Sequence, residues 1–93
     1  MEQQPMTEAM YYILLSLLRP GYGYGMMQRI RELSRGRLVM GPGTLYGVLT
    51  RMKKEDRRKN YEITDAGREA LRLEYERLKQ LVRDGAALEE DEQ

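Results

Sequence analysis

Residues 65–88 are the strongest constraint on the fold. They contain no proline, and Leu71, Leu78, Leu81, Val82 and Leu88 recur at helical spacing with Tyr75 beside them. Thr64 supplies an N-cap, and Asp65 and Glu69 lie near the positive end of the helix dipole. At about 1.5 Å per residue such a helix is roughly 30 Å long or more. The rest of a 93-residue chain is too small to cover that length. The seam therefore predicts pairing with a helix of another molecule. The alternative is an exposed amphipathic tail. Residues 89–93, Glu-Glu-Asp-Glu-Gln, read as an acidic disordered end.

Composition narrows the chemistry. The chain has no cysteine and no histidine. A disulfide, a thiolate metal site, the commonest metal ligand and the commonest general base are thereby removed. No cofactor or metal is expected, and an enzyme is not expected. The longest apolar-rich run, residues 9–18, is far shorter than the roughly 20 residues of a membrane span. The reading is a soluble, cytoplasmic protein without a membrane partner. The net charge of +1 conceals an uneven distribution: +2 over residues 1–42, +4 over 43–61 and −5 over 62–93. A polyanion would meet the middle of the chain, with the acidic end turned away.

Residues 1–6 read as a loose arm, and Thr7 as the N-cap of a first helix running from about Glu8 to Leu18. Met10, Leu14 and Leu17 form one apolar stripe of that helix and Tyr11, Leu15 and Leu18 a second, so burial on two sides is expected. Pro20 and the glycines at 21, 23 and 25 break the helix. Those glycines do not read as a phosphate-binding loop, because no strand precedes them and no lysine follows in the required place. A second helix covers about residues 23–34, with Met26, Met27, Ile30 and Leu33 inward and Arg29, Arg31 and Glu32 outward. Leu38–Met40 and Tyr61–Ile63 read as minimal strands.

Between them, the segment from Met40 to Lys54 reads as a third helix beginning at Thr44. Leu45, Val48, Leu49 and Met52 make its apolar stripe. Thr44, Tyr46, Gly47, Thr50 and Arg51 fall largely off the stripe, and Lys53, Lys54, Arg57, Arg58 and Lys59 crowd its end. A helix anchored on one side, small and hydrogen-bonding on the other and ringed by cations suits the major groove of DNA. Thr44 would meet a phosphate near the helix N-terminus, and Gly47 would permit close approach. Thr50 and Arg51 would reach base edges or backbone. Lys54, Arg57, Arg58 and Lys59 would neutralise phosphate, which gives register and not sequence choice. Tyr46 would contact phosphate or a base methyl, or else pack on a neighbouring helix. Tyr24 would touch the DNA backbone or staple the turn.

The order of elements is that of a winged helix-turn-helix followed by a long helix. Particular motifs extend the likeness. Leu17-Leu18 with Gly21-Tyr-Gly-Tyr-Gly25, Gly43-Thr-Leu-Tyr46 with Leu49 and Arg51-Met52, Arg57-Arg-Lys-Asn-Tyr61, and Ile63-Thr-Asp-Ala-Gly67 resemble the PadR family of transcriptional regulators. The likeness covers nearly all of residues 7–82 and is closest to the branch with a single C-terminal helix. It implies a mainly α fold, with a DNA-binding winged helix-turn-helix over residues 7–64 and a dimerisation helix over 65–88. It implies a homodimeric repressor on an inverted-repeat (palindromic) operator in double-stranded DNA. Met10, Leu14, Leu71, Tyr75, Leu78, Leu81 and Val82 would form the dimer interface. A small hydrophobic or phenolic effector would sit against Met6, Met10, Leu14, Tyr75 and Leu78, unless these side chains are plain dimer core. One departure stands out: Lys53-Lys-Glu-Asp56 runs almost directly into Arg57, leaving no room for a first wing strand. Either the wing is deleted, or a stretch between Asp56 and Arg57 is missing from the sequence.

Overall fold

The structure, a computed structural model, describes residues 5–52 and 60–92, with the side chains of Thr50, Arg51 and Met52 outside the description. The described residues form four helices: α1 (Glu8–Ser16), α2 (Gly23–Leu33), α3 (Pro42–Met52) and α4 (Asp65–Asp91). Helices α1, α2 and α3 surround one core of Ile13, Leu17, Met26, Ile30, Met40, Leu45 and Leu49. Helix α4 packs its first turns on α1 and then extends beyond the rest of the chain.

The helix boundaries follow local chemistry. The Thr7 hydroxyl accepts from the Met10 amide at 3.1 Å, and the Thr64 hydroxyl from the Gly67 amide at 3.0 Å. Both side chains satisfy an N–H that the first turn would otherwise leave unpaired. Helix α2 ends in a Schellman arrangement. Gly36 donates to the Arg31 carbonyl and Arg35 to the Glu32 carbonyl, with φ positive at both Arg35 and Gly36. The Ser34 hydroxyl then accepts from the Leu38 amide at 2.9 Å and directs the chain back toward the core.

Several expectations need correction. Helix α3 begins at Pro42, not Thr44. Proline lacks an amide hydrogen and has a fixed φ suited to the first helical position. Helix α1 ends at Ser16, and Leu17 and Leu18 form the turn after it. Neither Leu38–Met40 nor Tyr61–Ile63 is a strand. Tyr61 makes an isolated antiparallel bridge with Gly21, and the Ile63 amide donates to the Leu17 carbonyl. The turn after α1 therefore takes the place of a pairing strand. Leu33, expected inward, is 50% exposed.

Arg29, expected outward, lies between elements. Its guanidinium donates to the carbonyls of Ser16, Arg19 and Pro20 at 2.7, 2.9 and 3.2 Å. A cation thus satisfies the last carbonyl of α1 and two carbonyls of the turn after it. Helix α4 continues through Asp91, past the boundary read at Leu88. Ala86, Ala87 and Leu88 favour helix strongly enough to carry it into acidic residues that the dipole disfavours.

Candidate nucleic-acid interface

Leu45 and Leu49 are buried on one side of α3 and hold it in the core. Gly43, Thr44 and Gly47 are exposed. An added Cβ at Gly43 or at Gly47 would find open space, with no atom within 4 Å. Among the described residues, packing gives no reason for glycine at either place. At Gly47, inside the helix, glycine costs about 0.5–1 kcal/mol relative to alanine. Exposed backbone at Gly43 and Gly47, with Thr44 beside it, lies open to an outside surface.

Tyr46 packs its ring against α2 while remaining 38% exposed. A Cβ on the buried Gly23 would overlap its hydroxyl and would lie 3.1 Å from its Cε1. The ring thus rests on the first residue of α2 and sets the spacing between α2 and α3, the packing alternative read from the sequence. Tyr24 stands exposed one residue further along, its hydroxyl accepting from Gln28 Nε2 at 3.1 Å. Thr50 and Arg51 fall in the last turn of α3. Lys54, Arg57, Arg58 and Lys59, and with them the question of the wing, lie outside the described residues.

The second candidate region lies between α1 and α4. Met6, Glu8, Tyr11, Tyr12, Glu74, Arg77 and Leu78 line a cleft of about 320 Å³. Beside it, Tyr11, Tyr75, Leu78, Lys79, Val82 and Arg83 line a more open groove of about 390 Å³. Met6 and Leu78 thus border the cleft, and Tyr75 borders the groove. Met10 is half-buried. Leu14 is buried and would lie 3.5 Å from a Cβ at Gly67. The expected effector residues are therefore only partly brought together. Leu14 and Leu71, assigned to a dimer interface, are already buried inside one chain where α1 meets α4. Tyr75, Leu81 and Val82 are exposed, at 50, 53 and 74%, and Leu78 is half-buried.

Sequence reasoning missed Glu74. Its carboxylate is buried, and Arg77 meets it with two hydrogen bonds, Nε to Oε1 at 2.9 Å and Nη2 to Oε2 at 2.6 Å. The Met6 amide also donates to Oε2, at 3.3 Å, tying the N-terminal arm to α4. A buried charge is tolerated only when paired in this way. The signal was present in the spacing, because Glu74 falls three residues after Leu71 and four before Leu78, on the same stripe. Burial, and then the Tyr75, Glu74 and Tyr12 side chains, push the Tyr11 phenol above its ordinary 10.0. Hydrogen bonds to Glu8 and Tyr12 likewise favour the charged form of Arg37. Among the described residues, no acidic cluster could hold a metal ion and no helix is long and apolar enough to cross a membrane.

Residues 13–57 match the model of the transcriptional regulator PadR-like family. That segment spans α1 from Ile13, α2, α3 and the basic stretch after it. The resemblance read from the sequence holds at the level of the family, whose members are regulators of transcription and not enzymes. Neither a curated protein nor a solved structure matches the chain.

Proposed function

From the match of residues 13–57 to the PadR-like family of transcriptional regulators, we propose that the chain is a sequence-specific DNA-binding repressor acting as a homodimer. Helix α3 is the reading element. The observation that carries this is the exposure of Gly43 and Gly47 on one face of α3, where glycine serves no packing purpose among the described residues. Two such helices related by a two-fold axis would enter major grooves one turn apart on an inverted repeat. Thr44, Thr50 and Arg51 would provide contacts from that face. Lys54, Arg57, Arg58 and Lys59 would provide phosphate affinity.

The second copy would dock along the distal part of α4, where Leu81, Val82 and Leu88 are exposed. Single exposed apolar residues are ordinary, whereas a seam on one helical stripe is a pairing surface. A small hydrophobic or phenolic effector would enter the cleft between α1 and α4 and shift the angle between the two reading heads.

The other reading is a dimeric protein-interaction module with no preference for DNA. Changing Arg57, Arg58 and Lys59 together to alanine separates the two. A DNA-binding chain loses affinity for every duplex and shows a shallower dependence on salt. An interaction module keeps its partner binding, and its parent form shows no salt-dependent duplex binding to lose.

A further inference from the structure

Arg37 belongs to the connection between α2 and α3, yet its side chain reaches back to α1. Nη2 donates to Glu8 Oε2 at 2.6 Å and to the Tyr12 hydroxyl at 3.0 Å. The guanidinium carbon also lies 5.8 Å from the centre of the Tyr12 ring, within cation–π reach. Glu8 and Tyr12 are four residues apart on one helical face, so together they grip one cation. The connection that Arg37 occupies is short and fixed at both ends. Buried Ser34 anchors its start, and buried Met40 leads directly into α3 at Pro42.

The same two α1 residues border the cleft between α1 and α4. Tyr12 packs edge-on against Tyr11, which lines both the cleft and the neighbouring groove. Anything that moves the Tyr12 ring from the cleft side must either draw Arg37 with it or break its contacts. Either outcome alters the constraint on the connection five residues before the start of α3.

We propose that Arg37 is a positioning residue for α3, and that the Glu8–Arg37–Tyr12 grip makes the start of that helix answer to what occupies the α1–α4 cleft. The proposal deepens the reading of α3 as the DNA-contacting element and rests on it for its biological meaning. The grip suits this task because it is weak. Both charged side chains are more than half exposed, and exposed ion pairs add little to stability. An occupant of the cleft therefore has to outcompete only a small term. By reciprocity, DNA that holds α3 in one position alters the affinity of the cleft by the same factor.

The test needs no known effector. Leu78→Trp places bulk in the cleft of the full chain, and the amide resonances of Gly43 and Gly47 report on α3. These resonances are expected to move when Leu78→Trp is made in the parent chain, and to move less than half as far in the Arg37→Gln background. Tyr12→Phe, which keeps the ring and removes one acceptor, is expected to fall between. Equal movement in both backgrounds, or none in either, overturns the proposal. If Leu78→Trp does not fold, Met6→Trp serves from the opposite wall under the same criteria. Duplex affinity measured in parallel should change about fivefold in the parent and stay level without Arg37. If the parent chain binds no duplex while the α3 amides still respond through Arg37, the grip stands and the DNA reading fails.

Discussion

Helix α3 and the distal part of α4 are both incompletely explained by the packing of one chain, and they are incomplete in opposite ways. The outer face of α3 is stripped down: glycine at 43 and 47, with none of the described residues near either Cβ. The outer face of α4 is built up: leucine, valine and tyrosine side chains exposed to water from Tyr75 onward. Backbone left bare admits a polar surface at close range, as a groove lined with phosphates and base edges requires. Apolar side chains left bare require another apolar surface. The proposal gives the two regions different partners, nucleic acid for α3 and a second copy for α4. It also places the charge accordingly, with basic residues after α3 and acidic ones at the end of α4.

The largest expected effect falls on α4. Replacing Leu81 and Val82 together by glutamate puts two charges into the proposed seam. Burying an unpaired charge is costly enough that dimer dissociation should rise roughly a hundredfold or more, equivalent to about 3 kcal/mol. Sedimentation at micromolar concentration should show monomers with unchanged helix content. An unaltered sedimentation coefficient would remove α4 from the comparison.

A change that pushes α3 off α2 comes next. Gly23→Ala would drive a methyl group into Tyr46. Overpacking of this kind costs about 1–3 kcal/mol, which for a domain of this size lowers Tm by roughly 4–8 °C per kcal/mol. The paired change Gly23→Ala with Tyr46→Leu should recover part of that loss, as thermal melts would show.

Gly47→Ala sharpens the comparison within α3 itself. Alanine should stabilise the helix by about 0.5–1 kcal/mol, because its Cβ meets none of the described residues. Duplex binding should nevertheless weaken by about tenfold, or 1.4 kcal/mol, if a groove wall approaches there. Gly85→Ala, on α4 and also with open space at its Cβ, is the matched control. It should raise stability and leave duplex binding alone. Two alanines with the same effect on binding would erase the distinction between the helices.

The smallest effect concerns the surface of α4. Arg72 holds the Glu69 carboxyl below its ordinary 4.5 through a hydrogen bond and its charge. A depressed folded-state pKa contributes stability above the unfolded value, and that contribution is lost as pH falls through the folded one. Glu69→Gln should therefore flatten slightly the decline of stability below about pH 4.5 and leave neutral stability nearly unchanged. Denaturation midpoints taken between pH 3 and pH 6 would read this out.

Much of this arrangement was legible from residue types and spacing. Thr7 and Thr64 announced two helix starts because a hydroxyl before an apolar run has one obvious use. The stripes gave much of the core, since Leu14, Leu17, Met26, Ile30, Leu45 and Leu49 follow the helical period and are buried, whereas Ile13 lay off both stripes read for α1 and Leu18, on the second of them, is exposed. What escaped were side chains whose role depends on contacts distant in sequence. Arg29 reads as a surface cation until the end of α1 is placed beside it. Glu74 reads as a solvated acid until α1 and the arm cover it. Leu14 and Leu71 read as interface because the first turns of α4 were not known to fold back onto α1. In the candidate site, the exposure of Thr44 and Gly47 was readable from the apolar stripe of Leu45 and Leu49 on the other side of α3. The packing role of Tyr46 required knowing what lies beneath its ring.

The central claim is that α3 reads DNA as one of a pair. The most direct measurement is selection of a randomised duplex pool on the purified chain at moderate salt, with sequencing of what is retained. The account predicts an enriched palindrome whose half-sites lie about one helical turn apart. Absence of retention at any salt would contradict it and leave the interaction module as the function of this fold.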